Sequence, residues 1–152
     1  MVRAYASPAI GSSFTFRTVA GTGDALFSLR MRAIPSVLIV DDNPDTLETL
    51  VALIRSLGVN FVASACSAEI AAEILETQRF SLLVVDYRLE GMDGVQFVER
   101  LRASGDGTPV ILLSGAPDKN GVIRATSQPK VDFFAKPFRV ADLMVAMDRM
   151  AA

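Results

Sequence analysis

The stretch SVLIVDDNPD, Ser36 to Asp45, sets an apolar run, Val37 to Val40, directly before two adjacent aspartates, Asp41 and Asp42. Like charges at the mouth of a buried strand repel each other, and burying either one is costly unless it is paired. The next residues open a helix. Asn43 is a cap and Pro44 suits the first helical position. Leu47, Leu50, Val51, Ile54 and Leu57 then recur on one face until Gly58 stops it.

The same alternation repeats down the chain. A weaker strand is expected over Val59–Ala63, and Ser67 caps a helix with Ile70, Ala71, Ile74 and Leu75 inward. The third strand, Leu82–Val85, stops at Asp86 and leads to a helix carrying Val95, Val98 and Leu101. Pro109 opens a fourth strand, Val110–Leu113, which stops at Ser114. Pro117, Gly121 and Pro129 disfavour helix in the stretch that follows, so the shortest helix is predicted there. A fifth strand, Val131–Ala135, ends at Lys136-Pro137. The last helix sets Val140, Leu143, Met144, Met147 and Met150 on one face. Continuously apolar strands alternating with helices predict a parallel sheet covered on both faces, with right-handed crossovers.

In such a sheet the carboxyl ends of the strands share one edge, where ligands of open α/β folds bind. Asp41, Asp42, Asp86, Ser114 and Lys136 all fall on that edge. A hard divalent cation would make the paired aspartates tolerable. Mg²⁺ suits them, because it takes oxygen ligands and keeps several waters. Beside it a carboxylate can attack a phosphoryl group, while a hydroxyl and an ammonium hold the phosphoryl oxygens. Each residue alone reads as a solvated strand end. Complementary groups on four strand ends weigh against that reading.

Composition narrows the field. No apolar stretch approaches the ~18 residues of a membrane span. Four arginines against one acid, Asp24, leave 11 basic and 16 acidic groups for residues 36–152. That acidic body argues against a surface for nucleic-acid phosphates. Cys66 is the one cysteine, which excludes disulfides and thiolate metal sites within the chain; no histidine is present to serve as base, ligand or phosphoacceptor.

Residues 1–35 read differently. They are rich in Ser, Thr, Gly and Ala, carry dispersed arginines and show no sustained period. The expectation is a disordered or weakly ordered extension, with Met31 as an alternative start. A transit peptide and a docking arm stay open.

The segments VLIVDDNPDTLETL (37–50), LLVVDYRLEGMDGVQFVERLR (82–102), PVILLSG (109–115) and FFAKPF (133–138) together resemble the receiver domain of two-component response regulators. The resemblance covers residues 36–150 and implies a flavodoxin-like doubly wound five-stranded parallel sheet of order 2-1-3-4-5, with helices on both faces. It implies Asp86 as phosphoacceptor, Asp42 as the direct acidic Mg²⁺ ligand, and Asp41 acting partly through water. The backbone carbonyl of Arg88 would complete the metal set, Ser114 would move toward the phosphoryl group, and Lys136 would bind it. Phe133 takes the switch-aromatic place, and the Lys136-Pro137 bond is expected to be cis. Two departures stand out: Pro129-Lys130 replaces a small pair before the fifth strand, and Phe133 lacks a hydroxyl.

The function so implied is a stand-alone cytoplasmic phosphorelay receiver rather than an enzyme. It would accept phosphate from a histidine kinase or histidine phosphotransfer protein and change its protein partners. Homodimerisation or partner docking is expected through the fourth helix, fifth strand and fifth helix, using the methionine stripe. Two alternatives are a receiver-like scaffold that works without phosphorylation, and a phosphatase of the haloacid dehalogenase type. The scaffold reading suits chains lacking one of the acids or the lysine, all of which are kept here. The phosphatase pattern needs an aspartate where this chain has Asn43.

Overall fold

The computed structural model describes the backbone of residues 3–6, 13–19 and 24–30, and residues 34–151 in full. Strand β1 is Arg3–Ala6, and β2 (Ser13–Val19) pairs with β3 (Asp24–Arg30) as an antiparallel hairpin. Then follow β4 (Ser36–Val40), α1 (Pro44–Ser56), β5 (Phe61–Ala65), α2 (Ala68–Thr77) and β6 (Leu82–Asp86). A small hairpin, β7 (Arg88–Leu89) with β8 (Met92–Asp93), precedes α3 (Gly94–Ala103). The chain continues through β9 (Val110–Ser114), α4 (Lys119–Thr126), β10 (Val131–Ala135) and α5 (Val140–Met150).

The main sheet runs β1-β5-β4-β6-β9-β10. Its last five strands are parallel and follow the expected order 2-1-3-4-5. β1 adds a sixth, antiparallel strand on the free edge of β5, pairing Arg3 with Ser64 through Ala6 with Phe61. The sequence predicts neither β1 nor the β2–β3 hairpin. Residues 61–65 replace the expected 59–63, because the ladder opens where Asn60 and Phe61 donate to the Ile34 and Pro35 carbonyls. Val59 is nevertheless buried.

Alternation along the strands sends residues to two cores. Val37 and Ile39 join Leu50, Val51, Ile54 and Leu57 of the α1 side, with Leu143, Met144 and Met147 of α5. Leu38 and Val40 join the apolar faces of α2 and α3 on the opposite side of the sheet. Met144 and Met147 are wholly buried and Met150 is half-buried. Met144 and Met147 are therefore core packing, and the expectation that they serve an assembly surface is corrected. Two of the stripe's three methionines join Leu143 as the long apolar side chains that α5 sinks into the core on the α1 side.

Side-chain caps fix where α1 to α4 start, whereas α5 has none. Asn43 accepts from the Asp45 and Thr46 amides at 3.0 and 3.1 Å, and Ser67 from Ile70 at 3.2 Å. Asp93 and Gln96 form a reciprocal capping box on α3. At eight residues α4 is the shortest helix, as expected, and Gly121 and Ala125 are its buried residues. Among the described residues no helix is long and apolar enough to cross a membrane.

Gly94 lets α3 begin directly over the end of β6. A Cβ there would lie 2.7 Å from Leu112 Cδ2 and 2.8 Å from the Asp86 carbonyl oxygen. Because one obstacle is backbone, Gly94→Ala is expected to cost about 1–3 kcal/mol, measured as a lowered urea midpoint. An unchanged midpoint would show that α3 can slide without penalty.

Candidate functional site

The parallel register aligns the strand ends. Val40 lies opposite Val85, Asp86 opposite Leu113, and Ala135 opposite Ser114. The next residue after β4 is Asp41, and the next after β10 is Lys136. One oxygen from each of Asp41, Asp42 and Asp86 lies within 4.8 Å of the other two. Lys136 Nζ closes the cluster, 2.8 Å from Asp86 Oδ1 and 3.7 Å from Asp41 Oδ2. Its backbone amide donates to the Ser114 carbonyl at 2.6 Å, and the Lys136-Pro137 peptide is cis.

The three carboxylates differ in surroundings. Asp42 is exposed and Asp86 half-buried, whereas Asp41 is only 2% exposed. Asp41 Oδ1 accepts from the Asn43 amide at 2.9 Å, but its Oδ2 is buried without a hydrogen-bond partner. Burial pushes the Asp41 carboxyl up, and the negative charges of Asp86 and Asp42 push the same way. The Asn43 amide and Lys136 oppose them without cancelling the effect. A buried oxygen lacking a donor, facing two further carboxylates, fits a hard divalent cation.

Asp86 Oδ2 accepts from the Arg88 amide at 3.0 Å. Ser114 is 2% exposed, and its Oγ accepts from the Ala116 amide at 3.2 Å. The structure thus brings Asp41, Asp42, Asp86 and Lys136 together, with the Ser114 backbone tied to Lys136. Arg88 meets Asp86 through its N–H, with its side chain exposed. Phe133 lies further down β10, half-buried, with its ring edge-on to Tyr87 at 5.9 Å. Sequence reasoning missed Tyr87, Asn43 as donor to Asp41, and Asp118 as the cap of α4. The signal for Tyr87 was its place next to Asp86.

The family model for the response regulator receiver domain matches residues 37–148. The chain belongs to that family. Among curated relatives, response regulator protein TodT of Pseudomonas putida is 32% identical over 111 residues, covering 73% of this chain and 48% of TodT. The C4-dicarboxylate transport transcriptional regulatory protein DctD of Rhizobium meliloti is 32% identical over 121 residues, covering 80% of this chain and 26% of DctD. The chain therefore spans about half of TodT's length and a quarter of DctD's. Among solved structures, a response regulator receiver protein from Pseudomonas putida superposes with a TM-score of 0.71 at 29% identity, covering 77% of this chain and 98% of that one. The receiver domain is a signalling module of two-component systems rather than an ordinary enzyme.

Its raised Asp41 pKa has a testable sign. The folded receiver holds that proton more tightly than the unfolded chain, whose value is near 3.8. Stability is thus unimpaired by Asp41 below that value and falls as pH rises through the folded pKa. In metal-free buffer, Asp41→Asn is expected to raise the urea midpoint at neutral pH. The gain should vanish on acidification below the unfolded pKa. A variant weaker than wild type at neutral pH would contradict this electrostatic reading.

Proposed function

We propose that the domain accepts a phosphoryl group on Asp86, with Mg²⁺ bound by Asp41, Asp42, Asp86 and the Arg88 carbonyl. The observation that carries this reading is Asp86 at the end of the central strand β6, with Lys136 Nζ at 2.8 Å and two further carboxylates within 4.8 Å. The donor would be a histidine kinase or a phosphotransfer protein. The bond from phosphorus to the donor's imidazole nitrogen breaks as one from phosphorus to an Asp86 carboxylate oxygen forms. The leaving imidazole takes up a proton from solvent.

Each residue has a defined task in that transfer. The Arg88 amide holds Asp86 Oδ2 and thereby fixes the plane of the carboxylate. Lys136 neutralises Asp86 before transfer and holds a phosphoryl oxygen afterwards. Ser114 would exchange its bond from Ala116 for one to the phosphoryl group. The metal supplies positive charge for the phosphoryl oxygens when bound. New bonds at Ser114 and Lys136 favour one of two backbone arrangements, which alters protein docking.

Incubation with a small acyl-phosphate donor and Mg²⁺, followed by intact mass, should show a gain of one phosphoryl group. Asp86→Asn should keep the fold and gain none, because an amide is a poor nucleophile. Asp42→Ala should lose Mg²⁺-dependent labelling while leaving the nucleophile in place. Labelling of Asp86→Asn, or labelling indifferent to chelation, would overturn the assignment.

A further inference from the structure

The residue after the phosphoacceptor, Tyr87, reaches across to the one helix that lacks an extensive apolar anchor. Its backbone is fixed on both sides: its amide donates to the Leu113 carbonyl at 2.7 Å, and its carbonyl accepts from Gly94 at 2.6 Å. Its ring is buried, and its hydroxyl donates to Asp118 Oδ2 at 3.4 Å. The other oxygen of Asp118 caps α4, accepting from the Gly121 amide at 2.8 Å. One carboxylate therefore joins the start of α4 to the neighbour of Asp86.

Gly121 completes the connection. It lies within α4 and is not among the glycines with positive φ, so its backbone does not call for glycine. Space does. A Cβ at that position would overlap the Tyr87 hydroxyl oxygen, and would lie 2.8 Å from Tyr87 Cζ and 2.9 Å from Asp118 Oδ2. Glycine in the first turn of this short helix admits a hydroxyl from the next layer. Beyond Gly121 and Ala125, α4 is tied by Arg124, 3.2 Å from Asp93 and 3.4 Å from Glu99. That strap is half-exposed and reaches α3 rather than the phosphorylation edge.

We propose that Tyr87 is the positioning residue that couples the state of Asp86 to α4, through its hydroxyl lodged between Asp118 and Gly121. This rests on Asp86 and Ser114 acting as described above. Asp118 lies four residues beyond Ser114 on the same loop, so movement of Ser114 toward a phosphoryl group displaces the carboxylate that holds Tyr87. Phe133 offers no hydroxyl for that purpose and meets Tyr87 through ring edge alone.

The test is hydrogen exchange of residues 119–126, with and without acyl-phosphate donor and Mg²⁺, with intact mass taken from the same samples. In wild type, labelling should change exchange across α4. Tyr87→Phe keeps the ring, so it should label to the same extent. Its α4 should exchange about twofold faster before labelling, the low end expected from losing one long hydrogen bond, and respond little to labelling. Asp118→Ser retains a helix cap but has no second oxygen for Tyr87, and should behave alike. Exchange in strands 37–40 and 110–113 should stay as in wild type, which separates coupling from general loosening. Tyr87→Phe and Asp118→Ser that label and keep the wild-type α4 response would overturn the role of Tyr87 alone. A wild type that gains no phosphoryl group would overturn the Asp86 reading and this coupling with it.

Discussion

Three carboxylates held at one end of a parallel sheet, with Lys136 set among them, are the constraint on which the rest of the arrangement depends. At an effective dielectric near 20, two unit charges at such a separation repel by roughly 3 kcal/mol before screening. Asp41 cannot escape, because its neighbours Val37 to Val40 are fully buried and β4 lies between β5 and β6. The fold answers with an ammonium delivered from β10, two strands beyond β6, and with the Asn43 and Arg88 amides. These leave Asp41 Oδ2 without a donor. Perturbed carboxylates of this kind cluster at functional sites.

The scaffold makes that cluster rigid on one side and yielding on the other. Four of the five helices bring several large apolar residues to the two cores, whereas α4 brings Gly121 and Ala125. What holds α4 is chiefly polar: Asp118 with Tyr87, and Arg124 with Asp93 and Glu99. A helix held by a few polar bonds moves when one of them is exchanged, while a helix sunk in the core does not. The chemistry proposed for Asp86 thus lies next to the element least committed to one position.

Much of this was legible because each strand announces its end. Apolar runs that stop at Asp41, Asp86, Ser114 and Lys136 identify the shared edge before any coordinates, and Asn43, Pro44 and Ser67 mark helix starts by their own chemistry. Pro117, Gly121 and Pro129 pointed to a short helix and α4 is the shortest, with Pro117 just ahead of the Asp118 cap and Gly121 making room for Tyr87. The misses have physical causes. The strands β7 and β8 have two residues each, too few for any period to show. In the hairpin, positions 14 and 16 pair in backbone register with 29 and 27, and the apolar alternation in the sequence is diluted by polar residues and arginines. β1 is a four-residue strand with two alanines, placed by a backbone ladder that no side-chain pattern records. The methionine stripe was visible but read as an assembly surface, because its spacing does not say whether it meets a sheet or a partner; burial assigns Met144 and Met147 to the core.

The central claim is that the clustered acids make one of their number, Asp86, the attacking group. Borohydride reduction of the phosphodonor-treated, Mg²⁺-loaded protein converts an aspartyl phosphate to homoserine, which peptide mass spectrometry places at a single residue. The account requires homoserine at position 86, present with Mg²⁺ and lost when the metal is chelated beforehand. Homoserine at position 41 or 42, or an adduct that forms equally well without metal, would contradict it.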